Sequence, residues 1–221
     1  MNFKFVKVCG MRDTNNIRDV EKLGIDLMGF IFWPKSSRFV SQRPDYLPTQ
    51  CKRVGVFVDA DIEQVRRIAN DFSLDYIQLH GHESPDYIHS LRVDGGFAAG
   101  IHSHSVDGGF AADIRLIKAF NIATAADFAP TAAYEGLTDL FLFDTKGKCV
   151  GGNGEKFDWN VLQSYNGNTP FLLSGGIGPQ DAASVKAFHH PRYIGIDLNS
   201  RFEISPGLKD IHQLKTFIES L

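Results

Sequence analysis

The chain has 221 residues, of which 43% are hydrophobic and 22% are charged, and its formal net charge is -3. These values are ordinary for a globular protein, and they argue against a nucleic-acid-binding surface, which depends on clustered Lys and Arg. No apolar run approaches the ~20 residues that span a membrane, and the N-terminus lacks the profile of a signal peptide. Cys9, Cys51 and Cys149 are widely spaced, so neither disulfides nor a zinc site is predicted, and a reducing cytoplasm is the simplest compartment.

Short apolar runs, rich in β-branched and aromatic residues, recur along the chain, and glycine or polar residues stand at their carboxyl ends. Such runs are typical of buried parallel strands. Stretches with helical spacing lie between them, and Asp13 and Asp61 can cap two of the helices. Eight strands are predicted, at about residues 3–9, 27–32, 54–58, 76–80 and 116–120 and in three runs that end at Asp144, Ser174 and Asp197.

This alternation predicts a parallel sheet of the α/β class with right-handed crossovers. An open, doubly wound sheet is the alternative. Eight repeats, with reactive or polar residues at nearly every strand end, favour a closed (β/α)₈ TIM barrel that forms a single domain over residues 1–221. The active site is then expected at the carboxyl ends of the strands.

One region breaks this alternation, because the seven residues at 93–99 recur at 106–112. We interpret residues 92–113 as a surface insertion that contains a tandem duplication, on the face opposite the active site. His102 and His104 lie within it and raise the alternative of a metal site. A polar loop tip is the favoured interpretation, so no metal site is predicted.

The first strand ends at Cys9, directly before Gly10. A cysteine here can be a small core residue, or a reactive thiol at a barrel mouth, with Gly10 letting substrate approach the backbone. Lys7 points the same way as Cys9 because strand side chains alternate. We therefore expect Lys7 inside the barrel, where a lone lysine is costly unless it is paired. There it lowers the pKa of the thiol or binds an anionic substrate.

Two aspartates stand at the ends of strands six and eight. Asp144 follows an almost wholly apolar strand, and partial burial there favours the protonated form that a general acid needs. The alternative is that Asp144 caps a turn in the following loop. The same alternatives, a functional role or a turn cap, apply to Asp197, and a structural or phosphate-orienting role is favoured for it.

Glycine-rich loops follow strands six and seven, and a serine follows strand eight. Barrels frequently bind phosphate at such loops, through backbone N–H groups and the N-terminus of a short helix. The residues predicted to bind phosphate are Gly152, Gly154, Gly175, Gly176, Asn199 and Ser200.

Two further residues are candidates for substrate binding. Arg38 lies in the loop after strand two, where its guanidinium could bind both oxygens of a carboxylate. The alternative is a solvated loop charge. His80 ends strand four before Gly81, and it either positions a substrate hydroxyl or is a satisfied core histidine.

These residues resemble the phosphoribosylanthranilate isomerase family from the first strand to the eighth, with the insertion as the main interruption. The resemblance is carried jointly by Lys7-Val8-Cys9-Gly10, Lys35-Ser36-Ser37-Arg38-Phe39, Gln78-Leu79-His80-Gly81, Asp144, Gly151-Gly152-Asn153-Gly154, Ser174-Gly175-Gly176, and Asp197 with Ser200 and Pro206-Gly207.

The family isomerises N-(5-phosphoribosyl)anthranilate by an Amadori rearrangement without a cofactor. The resemblance implies that Cys9 is the general base, Asp144 the general acid, and Arg38 the residue that holds the anthranilate end. It also implies a small-molecule substrate for a cytoplasmic enzyme that is a monomer or a homodimer, with no nucleic-acid or membrane partner.

The chain departs from the family pattern at Arg12, Ser37, Asp181 and Arg201, where Thr, Pro, Asn and Gly are usual.

Two other functions are possible on the same architecture. One is another phosphate-binding barrel enzyme, such as indole-glycerol-phosphate synthase or a sugar-phosphate isomerase of histidine biosynthesis. That last enzyme would carry an aspartate where this chain has Cys9. The other is a non-catalytic barrel that binds a phosphorylated ligand.

Overall fold

The computed structural model describes residues 5–93, 114–145 and 158–221. Eight parallel strands close into a barrel, with β8 paired to β1. The prediction of a closed barrel is therefore confirmed, and the open doubly wound sheet is wrong. The strands are β1 Phe5–Val8, β2 Leu27–Ile31, β3 Lys52–Phe57, β4 Tyr76–Leu79, β5 Arg115–Ile122, β6 Leu140–Thr145, β7 Phe171–Ser174 and β8 Tyr193–Leu198.

Helices and one small hairpin surround the strands. The α-helices are α1 Thr14–Glu21, α2 Ile62–Phe72, α3 Pro85–Val93, α4 Ala182–Ala187 and α5 Ile211–Glu219. Within the described residues, four 3₁₀ helices span Ala125–Tyr134, Trp159–Ser164, Pro179–Asp181 and Ser200–Phe202. The hairpin consists of β9 Glu203–Ser205 and β10 Leu208–Lys209. The predicted caps are confirmed, since Asp13 accepts from the Asn16 N–H at 2.8 Å and Asp61 from the Gln64 N–H at 2.7 Å.

The expectation of a helix after every strand is wrong at one connection. Residues 32–51 join β2 to β3 through turns and bends, and this fully described stretch contains no helix. Pro34, Pro44 and Pro48 fall within it. Each proline lacks an N–H and disfavours helical backbone in the residue before it, so no long helix can form there. This long connection carries Arg38.

Side-chain alternation along the strands separates two apolar layers. The barrel interior is filled by Leu27, Val54, Tyr76, Ile117, Ala119, Leu140, Leu142 and Leu172. Phe141 and Phe143, on the opposite face of β6, belong to the layer between barrel and helices. Because Leu140 and Leu142 point inward, the period of two directs Asp144 toward the mouth of the barrel.

The duplicated segment, with His102 and His104, lies outside the described residues, so its predicted placement stays a prediction. The described residues that flank it are Val93, at the end of α3, and Ile114, directly before β5. Within the described ranges, no helix is long and apolar enough to span a membrane.

Candidate active site

A cavity of about 170 Å³ opens at the carboxyl ends of the strands. It brings together most of the residues that the sequence singled out. Those that line it are Cys9, His80, Asp144, Gly175, Gly176, Asp197, Asn199 and Ser200. Gly152 and Gly154 lie outside the described residues. Lys7 and Arg38 are not among the lining residues, although Lys7 contacts Asp197, which is, and Arg38 lies against Gly10, the residue after Cys9.

Lys7 is fully buried inside the barrel, as predicted, and it is paired. Its Nζ lies 2.9 Å from Oδ1 of Asp197, the residue opposite it on β8. The other carboxylate oxygen of Asp197 accepts a hydrogen bond from the Ser174 hydroxyl at 3.4 Å. Burial alone would lower the pKa of Lys7. The interactions with Asp197 and Cys9 together raise this pKa by more than burial lowers it, so the net shift is upward. Lys7 is therefore a cation held beneath the cavity.

The Cys9 thiol is buried, and burial raises its pKa. Lys7 opposes this effect, whereas Asp197 reinforces it by repelling a thiolate. The expectation of a depressed thiol pKa is therefore wrong, because burial raises the pKa by more than Lys7 lowers it, and the carboxylate of Asp197 adds to the effect of burial. The thiol form of Cys9 predominates at neutral pH.

Two glycines near Cys9 leave space for other side chains. Gly10 has a φ of +79°, and a Cβ added there would lie 2.7 Å from Cδ of Arg38 and 2.8 Å from Oδ1 of Asn199. The space that a side chain would take at Gly10 is thus occupied by Arg38 and Asn199, while the approach of substrate to the backbone there stays a prediction. A Cβ added to Gly29 on β2 would lie only 2.7 Å from Sγ of Cys9. Sequence reasoning missed this second contact.

Asp144 faces a histidine across the cavity. Its side chain is 27% exposed, and its Oδ2 lies 3.6 Å from Nε2 of His80. The expected partial burial of Asp144 is confirmed, but its surroundings are not wholly apolar, since the His80 ring lies next to the carboxyl group. In this arrangement Asp144 lines the cavity and does not act only as a turn cap.

Gln78 holds the His80 ring and was missed by sequence reasoning. The Gln78 amide nitrogen lies 2.9 Å from Nδ1 of His80. With the amide donating, Nδ1 accepts, and Nε2 carries the hydrogen on the side of Asp144. Gln78 is almost fully buried and lines the cavity. Its position two residues before His80, on the same strand face, was the available signal.

Arg38 is paired with a carboxylate of the chain itself. Nε of Arg38 donates to both oxygens of Glu203, at 2.8 and 3.0 Å, and Nη2 donates to Oε2 at 2.6 Å. Lys209 Nζ lies 2.7 Å from Oε1 of the same carboxylate. Burial raises the pKa of Glu203, but its hydrogen bonds with Arg38 and Lys209 outweigh burial, and the net shift is downward. Sequence reasoning named neither Glu203 nor the role of Lys209.

The loop after β7 supplies two glycines in left-handed backbone. Gly175 and Gly176 have φ values of +96° and +69°, which few other residues adopt without strain. The loop is fixed by Asp181, whose buried carboxylate accepts from the Gly178 N–H at 2.8 Å. Asp181 is thus a structural residue of this turn, while the side chain of Arg201 is exposed.

Arg12, another departure from the expected pattern, joins three loops at the barrel mouth. Its guanidinium donates to the carbonyl of Ser37 at 3.0 Å and to that of Pro206 at 2.8 Å. It therefore connects the loop after β1 to the loop after β2 and to the β9–β10 hairpin. Arg38 and Glu203 lie on the latter two segments.

Comparison with known proteins points to one family. The model of the N-(5'phosphoribosyl)anthranilate (PRA) isomerase family matches residues 6–107 and 102–220. The N-(5'-phosphoribosyl)anthranilate isomerase of Parabacteroides distasonis is 49% identical, over 98% of this chain and 92% of its own. The crystal structure of the Thermotoga maritima enzyme is 28% identical, with a TM-score of 0.77, and covers 99% of this chain and 98% of its own.

A second solved phosphoribosyl anthranilate isomerase is in complex with reduced 1-(o-carboxyphenylamino)-1-deoxyribulose 5-phosphate. It is 26% identical to this chain, with a TM-score of 0.73, and covers 99% of this chain and 98% of its own.

Proposed function

The chain belongs to the N-(5'-phosphoribosyl)anthranilate isomerase family, and from this premise we propose which of its residues carry out the reaction. The enzyme isomerises N-(5-phosphoribosyl)anthranilate to 1-(2-carboxyphenylamino)-1-deoxyribulose 5-phosphate in tryptophan biosynthesis. The family match sets aside both the other phosphate-binding barrel enzymes and the non-catalytic barrel. The observation that carries the residue assignment is that Cys9 and Asp144 line one cavity, from β1 and β6.

Asp144 is the general acid of the first step. It donates a proton to the ring oxygen of the ribose as the bond from that oxygen to C1 breaks. The nitrogen lone pair of the anthranilate forms the iminium, and Asp144 is left as a carboxylate. Nε2–H of His80, on the side of Asp144, stabilises that carboxylate after the proton has left.

Cys9 is the general base of the second step. As a thiolate it removes the proton from C2 of the iminium and produces an enolamine. The protonated thiol then returns a proton to C1, while the Asp144 carboxylate accepts the proton of the C2 hydroxyl. These transfers yield the ketone and restore both groups. Lys7, whose cation favours the thiolate, is the residue that assists Cys9.

The remaining residues bind the ends of the substrate. Arg38 binds the anthranilate carboxylate, and His80 also positions a sugar hydroxyl. Asp197 supports the site by holding Lys7. The phosphate is bound by the loops after β6, β7 and β8, and the residues assigned to it are Gly152, Gly154, Gly175, Gly176, Asn199 and Ser200.

Substitution of the two proton-transferring residues tests the assignment. Cys9→Ala and Asp144→Asn should each lower kcat by about 10²–10⁴-fold, since a positioned acid or base contributes that much. Both variants should still bind the reduced product analogue. Turnover is followed by the loss of anthranilate-type fluorescence with freshly made substrate, and Cys51→Ala is the matched control. Near-normal kcat in either variant would mean that another residue carries out the proton transfer proposed for Cys9 or Asp144.

We propose in addition that the chain is one domain over residues 1–221 and acts in the cytoplasm as a monomer or a homodimer. The closed barrel supports the first part, since β1 pairs with β8 and joins the two ends of the chain. Sedimentation of the purified enzyme distinguishes the two oligomeric states. Cooperative unfolding in more than one transition would contradict a single domain.

A further inference from the structure

Arg38, Glu203 and Lys209 form a buried charge cluster next to the catalytic cavity. The side chains of Glu203 and Lys209 are 4% and 0% exposed, and that of Arg38 is 20% exposed. The side chain of Arg38 passes Gly10, the residue after Cys9, on its way to the cluster. Its Cδ occupies the space that a side chain at Gly10 would take. The cluster therefore contacts Gly10, which directly follows the proposed general base Cys9 in the chain.

Glu203 occupies only one edge of the Arg38 guanidinium. A guanidinium has five N–H groups, and Glu203 accepts from Nε and from one N–H of Nη2. Three N–H groups remain, two on Nη1 and one on Nη2, and they form the end-on edge of the guanidinium. Within the described part of the chain, Nη1 has no hydrogen-bond partner. This free edge has the geometry that binds a carboxylate through two parallel hydrogen bonds.

The cluster also carries a net positive charge of one. Arg38 and Lys209 carry two positive charges against the single negative charge of Glu203. A substrate carboxylate at the free edge would balance them. Without Glu203, the buried ammonium of Lys209 and the partly exposed guanidinium of Arg38 would lie together with no internal anion, and the guanidinium would be free to rotate.

We infer that Glu203 is a positioning residue, which holds Arg38 by its Nε–Nη2 edge so that the end-on edge receives the carboxylate of the anthranilate group. This inference rests on the proposed role of Arg38. It makes Glu203 a determinant of specificity for substrates that carry this carboxylate, although Glu203 itself does not touch the reacting atoms.

The test compares two ligands that differ only in the carboxyl group. One is reduced 1-(o-carboxyphenylamino)-1-deoxyribulose 5-phosphate, and the other is the same compound with a phenylamino group. Glu203→Gln should weaken binding of the first by about tenfold or more, the size of a lost hydrogen bond to a charged group. Binding of the second should stay close to that of the unmodified enzyme. Glu219→Gln, which removes an exposed acidic group on α5, is the matched control.

The outcomes separate this inference from the proposed role of Arg38. Equal weakening of both ligands by Glu203→Gln, or no change in either, would overturn the positioning role. Arg38→Gln tests the premise, and it should remove the preference for the carboxylated ligand. If Arg38→Gln leaves that preference intact, the assignment of Arg38 itself is wrong. If Glu203→Gln does not fold, Glu203→Asp keeps the charge, and its shorter side chain should reduce the same preference.

Discussion

Replacing Gly29 with alanine should displace the Cys9 thiol and slow the reaction. The added Cβ would lie 2.7 Å from Sγ, 3.1 Å from Cα and 3.2 Å from Cβ of Cys9. Ordinary contacts between such atoms are about 3.5–4.0 Å, so relief of the clash needs a shift of about 1 Å. A misplacement of about 1 Å can lower the rate by about 10²-fold. We expect a loss of that order in kcat, together with about 1–3 kcal/mol of stability from overpacking.

The assay needs to separate a displaced thiol from a general loss of packing. Gly55→Ala on β3 is the matched control, because its Cβ would clash with Leu74 and lie 2.8 Å from the Phe57 ring. Phe57 and Leu74 belong to the outer layer of the core, between barrel and helices. Gly55→Ala should therefore lower Tm while leaving kcat of the folded enzyme nearly unchanged. For Gly29→Ala, kcat should fall at temperatures well below its Tm.

Two results would refute this reasoning. If Gly29→Ala keeps the kcat and the Tm of the parent enzyme, the thiol does not lie against Gly29. If both glycine variants lose kcat to the same extent, the effect comes from packing of the whole barrel. The affinity for the reduced product analogue provides a third measurement, and it should change less than kcat because the phosphate loops lie at other strands.

Two further predictions concern the titration of the base and the duplicated segment. Because burial raises the pKa of Cys9 and the base must be a thiolate, kcat/KM should increase with pH through the alkaline range and decrease as the pH falls. A profile that is flat between about pH 6 and pH 10 would contradict Cys9 as the titrating base. Deletion of residues 93–105, one copy of the repeat, should leave kcat and Tm little changed, because each doubling of loop length costs about 0.6 kcal/mol. A large drop in Tm would indicate that the segment packs on the barrel, and a lower kcat at unchanged Tm would place it near the active site.

Local spacing predicted the parts of the site that lie on single strands. Lys7 and Cys9 share a strand face, and Asp144 continues the inward face of Leu140 and Leu142. In these cases the period of two is sufficient, because the direction of a side chain depends only on its own strand. The closed barrel followed from the same regularity, repeated eight times.

Contacts between residues far apart in the chain leave no local pattern in the sequence and could not be predicted from it. Arg38 and Glu203 are 165 positions apart, and no pattern near either residue indicates the other. The predicted sign of the Cys9 pKa shift is wrong for the same reason. Lys7 lies close in sequence, whereas burial, the largest cause of the shift, comes from the folded barrel, and the charge of Asp197 reaches Cys9 only through the pairing of β1 with β8. The missing helix between β2 and β3 had a local signal in its three prolines, which was not used.

The ion pair between Lys7 and Asp197 joins the first strand of the barrel to the last, across 190 positions of the chain. An unpaired ammonium group resists transfer to an apolar interior, so we expect the Lys7 side chain to stay hydrated in a folding chain until β8 is in place. The last strand thus brings the anion that allows the interior face of the first strand to be buried. The charged surroundings of Cys9 are consequently complete only when the barrel is closed by the pairing of β8 with β1. A partly folded chain without β8 carries the thiol but lacks its charged surroundings.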